Sequence, residues 1–142
     1  MNRKIVVLVI AAAILASVHL AEAQKPTKLQ KIGFLTVATG VGQQGNYDVF
    51  RQALRELGYV EGQNILIENR VADDRSRLAE LATELVGWKP ELIVAAGGAA
   101  GPAKKATNTI PIVFLSSGDP IEAGFVASLA RPGGNMTGIT WL

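Results

Sequence analysis

The sequence predicts an α/β fold, a doubly wound, Rossmann-like parallel sheet with strand order 2-1-3-4-5. Three observations predict it. Strand-like and helix-like segments alternate from residue 31 to the end of the 142-residue chain. The strand-like segments include short continuous apolar runs such as LIVA and IVFL, as expected of strands covered on both faces. The connections have the length that joins parallel strands through helices.

The first 23 residues are set aside from the fold as an export signal. Arg3 and Lys4 give a basic start, and residues 5–18 form an apolar run too short to span a membrane comfortably. Ala21-Glu22-Ala23 then supplies the small-x-small pattern of a cleavage site. The expected mature chain, residues 24–142, is one domain of 142 minus 23, or 119, residues and is long enough to bury a core. Without Arg3, Lys4 and Glu22, 12 basic and 11 acidic residues remain, a net charge of +1. No Lys/Arg cluster exceeds Lys104-Lys105, so nucleic acid is not an expected partner.

The chain has no cysteine. A lipoprotein signal, a disulfide and a thiolate metal site are therefore all excluded. Its one histidine, His19, falls in the signal segment. The mature chain thus lacks the commonest general base and the commonest transition-metal ligand. No cofactor, no metal and no enzymatic activity are expected.

Residues 31–37, KIGFLTV, read as strand one, and the loop ATGVGQQGN follows it. Residues 47–57 read as a helix, with Phe50, Ala53, Leu54 and Leu57 on one stripe and Gly58 as its stop. Residues 64–71 read as strand two. Asp73, Asp74 and Ser76 offer caps for a second helix carrying Leu78, Leu81, Ala82, Leu85 and Val86, closed by Gly87 and Pro90. Residues 92–96 are strand three, followed by GGAAG and a short helix over 102–107.

Residues 110–135 matter most. Ile112 to Leu115 are strand four, and Ser116, Ser117 and Gly118 are loop residues. Asp119 caps a fourth helix with Pro120 at its first position, running to about residue 129 before Pro132-Gly133-Gly134. Residues 136–142 begin strand five. The chain stops inside that strand, so a longer protein is expected.

In an open α/β sheet, ligands bind beyond the carboxyl ends of the strands. Thr36, Thr39, the GGAAG glycines, Ser116, Ser117 and Asp119 sit there. GGAAG is neither G-x-G-x-x-G nor a P-loop, so nucleotide binding is disfavoured, and close backbone approach explains its glycines. Asp119 can cap and still offer a second oxygen to a ligand. A hydrolase built on Asp119 and Ser117 would lack a histidine to activate the hydroxyl. Asp73-Asp74 reads as a helix start before it reads as a metal pair, and Trp88 and Trp141 read as packing residues.

Four strings carry a resemblance: FRQALRELGYVEGQNILIENR at 50–70, LAELATELVGWKPELIVAAGG at 78–98, KKATNTIPIVF at 104–114 and GDPIEAGFVASLARPGGNMTGIT at 118–140. Together they resemble bacterial ABC-transporter substrate-binding proteins of the tryptophan/tyrosine type. The resemblance implies one lobe of a type I periplasmic binding protein, with the second lobe absent. It implies ligand contacts at Thr36 and Thr39, at Gly97, Gly98 and Ala99, and at Ser116, Ser117 and Asp119. Many members have a Ser or Thr just before the third helix, where this chain has Gly98 and Ala99. The implied function is capture of a small polar solute, an amino acid among the candidates. Capture would take place in the periplasm, for an ABC permease in the inner membrane, with no membrane insertion after signal cleavage. The alternative is an exported sensory domain that presents its ligand to a membrane receptor.

Overall fold

The computed structural model describes residues 28–38 and 43–141. A five-stranded, fully parallel sheet has the order β2-β1-β3-β4-β5, as the alternation predicts. The strands are β1 (Gln30–Val37), β2 (Ile65–Ala72), β3 (Leu92–Ala95), β4 (Ile112–Ser117) and β5 (Met136–Trp141). The helices are α1 (Gln43–Glu56), α2 (Leu78–Gly87) and α3 (Ala100–Ala106), with a 3-10 turn at Arg75–Arg77 before α2.

The period-2 geometry of the strands divides the core in two. Leu35, Val37, Ile93, Ala95, Ile112, Phe114 and Met136 face α2 and α3 and form the larger cluster. Phe34, Val94 and Ala96 face the other way and pack with Ile32, Tyr47, Phe50, Ile67 and Leu115. Helix α2 buries Leu78, Leu81, Ala82 and Leu85, the stripe its periodicity predicts. Gly33 lies where Leu85 crosses β1; a methyl group there would stand 2.8 Å from the Leu85 Cγ.

Helix α1 differs from the reading of its sequence in two ways. It begins at Gln43, so part of the expected loop is helical. Its inward stripe is Tyr47, Phe50 and Leu54, with Phe34 meeting Tyr47 edge-on at 5.2 Å and Phe50 at 5.3 Å. Ala53 is exposed, and Leu57, past the helix end, is 74% exposed.

The fourth helix expected after β4 does not form. Residues 120–124 make a single turn and 125–135 are irregular. Asp119 does cap that turn, its Oδ1 accepting from the Ile121 N–H at 2.7 Å. Gly124 then ends it at φ 70°. The Phe125 N–H reaches the Pro120 carbonyl and the Gly124 N–H reaches the Ile121 carbonyl, the 6→1 and 5→2 pair of a Schellman stop. The Lys104 ammonium caps the Gly124 carbonyl from α3.

The irregular segment covers the α2/α3 side of the sheet, where Phe125 and Val126 pack with Phe114, and the opposite face of β5 is open. Ile139 and Trp141 are 63% and 58% exposed, so Trp141 is not the packing residue that the sequence suggests. Trp88 does pack, with the Lys31 ammonium 4.2 Å over its ring. Among the described residues, no helix is long and apolar enough to cross a membrane. Residues 1–23, read as an export signal, lie outside the described residues.

Candidate functional site

The parallel ladder brings most of the expected ligand residues to one end of the sheet. Leu35 pairs with Ala95, and Ala95 with Phe114. Two residues further along that register, Val37, Gly97 and Ser116 come level. Gly98 and Ser117 stand one step beyond. The chain leaves all three strands here, so small residues and loop backbone line the carboxyl ends of β1, β3 and β4.

Thr36 lies inside β1 at 3% exposure, in register with Val71. It is engaged within the fold. Thr39 lies outside the described residues. After β3, Gly97 and Gly98 turn the chain at φ 62° and 92°, a region that L side chains rarely adopt. Ala99 follows in the right-handed region and is fully buried, its N–H bound to the Ala96 carbonyl at 3.2 Å. The Gly97 and Gly98 N–H groups meet no acceptor among the described residues. Left-handed turns that present successive amides in this way are suited to anions.

After β4, Ser116 is half-buried and donates its hydroxyl to the Ser117 carbonyl at 3.2 Å. Ser117 and Asp119 are exposed. The Asp119 Oδ1 serves the turn, including a longer contact from the Glu122 N–H at 3.4 Å; no donor among the described residues meets Oδ2. The loop is fastened to β5 by the Thr140 hydroxyl, which donates to the Gly118 carbonyl at 2.5 Å. The strand ends are thus held, while their polar groups face outward.

The sequence reading misses one residue at this end. Arg75, on the 3-10 turn after β2, extends its side chain over the β3 loop. A methyl group on Gly98 would lie 3.6 Å from the Arg75 guanidinium carbon and 3.8 Å from its Nε. The nearby acids are used elsewhere: Asp73 pairs with Arg77 at 3.7 Å, and Asp74 accepts from the Ser76 N–H at 2.7 Å. Hydrogen bonds from the Ser76 hydroxyl and then its N–H, with the Arg77 charge as a lesser cause, hold the Asp74 carboxyl below the usual carboxylate range. Nothing in the run DDRSR, with its two acids and two arginines, singles Arg75 out.

A second concavity lies on α1, lined by Asp48, Arg51, Gln52, Arg55 and Glu56. It mixes charges of both signs on a single helix, with Arg51 held to Glu61 at 2.8 Å. No group of three His, Cys, Asp or Glu residues that could hold a metal occurs among the described residues.

Comparison with known proteins bears on the fold and the family. The tyrosine-binding protein of Clostridioides difficile (strain R20291) is 41% identical over 91 residues, 63% of this chain and 26% of that protein. The crystal structure of a conserved domain protein from Vibrio cholerae superposes with a TM-score of 0.75 at 30% identity, over 81% of this chain and 40% of the other. The structure of an ABC domain in complex with L-Trp from Streptococcus pneumoniae superposes with a TM-score of 0.72 at 31% identity, over 80% of this chain and 39% of the other. The chain therefore spans about a quarter of the curated relative and about two fifths of these solved chains. Residues 31–140 match the profile of the ABC transporter substrate binding proteins, and the chain belongs to that family.

Proposed function

We propose that this chain is the ligand-contacting first lobe of an exported solute-binding protein that captures an aromatic amino acid for an ABC importer. The observation that carries the reading is the convergence of Gly97, Gly98, Ala99, Ser116, Ser117 and Asp119 at the carboxyl ends of adjacent strands. Loop amides and an Asp119 oxygen that are unpaired among the described residues offer partners of opposite character, suited to the carboxylate and ammonium of a zwitterion. Thr36 and Thr39 complete the proposed contact set from β1 and its loop.

The names of two relatives, one binding tyrosine and one solved with L-Trp, support an aromatic side chain over other amino acids. Export through residues 1–23, work in the periplasm and delivery to an inner-membrane permease belong to the same proposal. So does a second lobe closing over this one, since pockets for small ligands bury most of the ligand's surface. The role is binding, not catalysis.

The test is calorimetry of the full-length protein against the twenty L-amino acids. Saturable heat with L-tryptophan or L-tyrosine, and at least tenfold weaker binding of the aliphatic amino acids, is expected. Absence of binding to every amino acid would end the reading.

A further inference from the structure

We infer that Arg75 is a specificity residue of this site, and that its guanidinium, laid over the Gly97–Gly98 turn, takes a carboxylate of the solute. The inference rests on the solute-binding reading above and extends it to a loop, the one after β2, that the reading does not use.

Three observations carry it. The first is position: the Arg75 guanidinium carbon is 3.6 Å from where a Gly98 methyl would stand, so the cation is packed against the site's own turn. The second is the state of its charge. Arg75 takes part in none of the ion pairs, side-chain hydrogen bonds or ring contacts among the described residues, although Asp73 and Asp74 are its chain neighbours. Arg77 and Ser76 engage those acids, which leaves the Arg75 cation without a counter-charge among the described residues. The third is what lies beside it: the Gly97 and Gly98 N–H groups, which also meet no acceptor among the described residues. A planar guanidinium presents two parallel N–H donors that match a carboxylate, and main-chain amides can take the remaining lone pairs. A lysine would supply the charge without the fork.

The glycines fit this arrangement. With φ at 92°, Gly98 holds a conformation that strains any side chain, and its missing Cβ leaves the turn's surface open beneath Arg75. An amino acid ligand would direct its α-carboxylate at this corner, with its ammonium toward Asp119.

The test compares the full-length protein with Arg75→Ala and Arg75→Lys. Calorimetry would use L-tryptophan, L-tyrosine and their amides, which keep the ring and ammonium but lack the carboxylate. Arg75 is exposed, so the variants should fold; melting temperatures check this. The expected result is a loss of about 10- to 100-fold in amino acid affinity for Arg75→Ala, a smaller loss for Arg75→Lys, and under about twofold for the amides. Equal affinities of wild type and Arg75→Ala for the amino acids would overturn the assignment while leaving the solute-binding reading intact. If the wild type binds neither amino acid, the aromatic reading fails, and acetate titrated against the Gly97 and Gly98 amide resonances decides the rest. A saturable shift that weakens at least tenfold in Arg75→Ala retains a carboxylate site for another acid; no shift, or the same shift in Arg75→Ala, overturns the inference.

Discussion

The packing of β1 on α2 sets the height of the strand ends, and Gly33→Ala tests it. The new methyl group would stand 2.8 Å from the Leu85 Cγ and Cδ2 and 2.9 Å from Cδ1, against about 3.5–4.0 Å for relaxed carbon contacts. Leu85 is 0% exposed and cannot swing outward, so either the helix lifts or side chains leave their rotamers. Overpacking of this kind destabilises by about 1–3 kcal/mol. Leu85→Ala alone leaves a cavity and should cost about 2–5 kcal/mol. It also removes all three atoms the Gly33→Ala methyl would strike. The double variant should therefore be more stable than the sum of the singles predicts, by about 1–3 kcal/mol. Urea unfolding of the four proteins measures this, provided each unfolds in one transition with the same dependence on urea. Additivity within about 0.5 kcal/mol would refute the packing register of β1 against α2.

Two further outcomes follow from local geometry. At Gly124 a methyl group would meet nothing closer than the Lys104 Nζ at 3.7 Å, so Gly124→Ala isolates the backbone cost of φ 70°, about 1–2 kcal/mol in urea unfolding; no change would mean the turn does not end there. Burial, and next the charge of Glu61, raises the Tyr47 phenol above its ordinary value of 10, so the folded state holds this proton more tightly than the unfolded chain. Stability from this source is complete below pH 10 and declines as pH rises through the folded value; Tyr47→Phe should flatten that alkaline decline in a pH series of urea midpoints, and an unchanged slope would count against the burial.

The order of the sheet could be read in advance because each strand's apolar run and each helix's stripe carry their own signal. Leu78, Leu81, Ala82 and Leu85 repeat at helical spacing and are the residues that α2 buries. The segment after β4 was misread because Asp119-Pro120 opens a turn and a helix in the same way. The difference lies at Gly124, where a left-handed residue stops the chain after one turn and Phe125 tucks against Phe114 at 5.6 Å. The start of α1 was hidden by Gly45 and Asn46, which are weak helix formers. Trp141 looked like core because alternation cannot reveal whether a helix will cover a given face. Arg75 was invisible for a related reason. Its contact with Gly98 joins the loops after β2 and β3, two strands separated in the sheet by β1, and only the folded order brings them together.

The central claim is that solute is held by the loops at the carboxyl ends of β1, β3 and β4. Amide chemical-shift mapping of the full-length protein with L-tryptophan and L-tyrosine tests it most directly. The account predicts saturable shifts concentrated at residues 97–99 and 116–119, with the outer face of α1 unmoved. Shifts confined to the α1 groove of Asp48, Arg51, Gln52, Arg55 and Glu56, or no shifts at the strand ends at saturating solute, would contradict it.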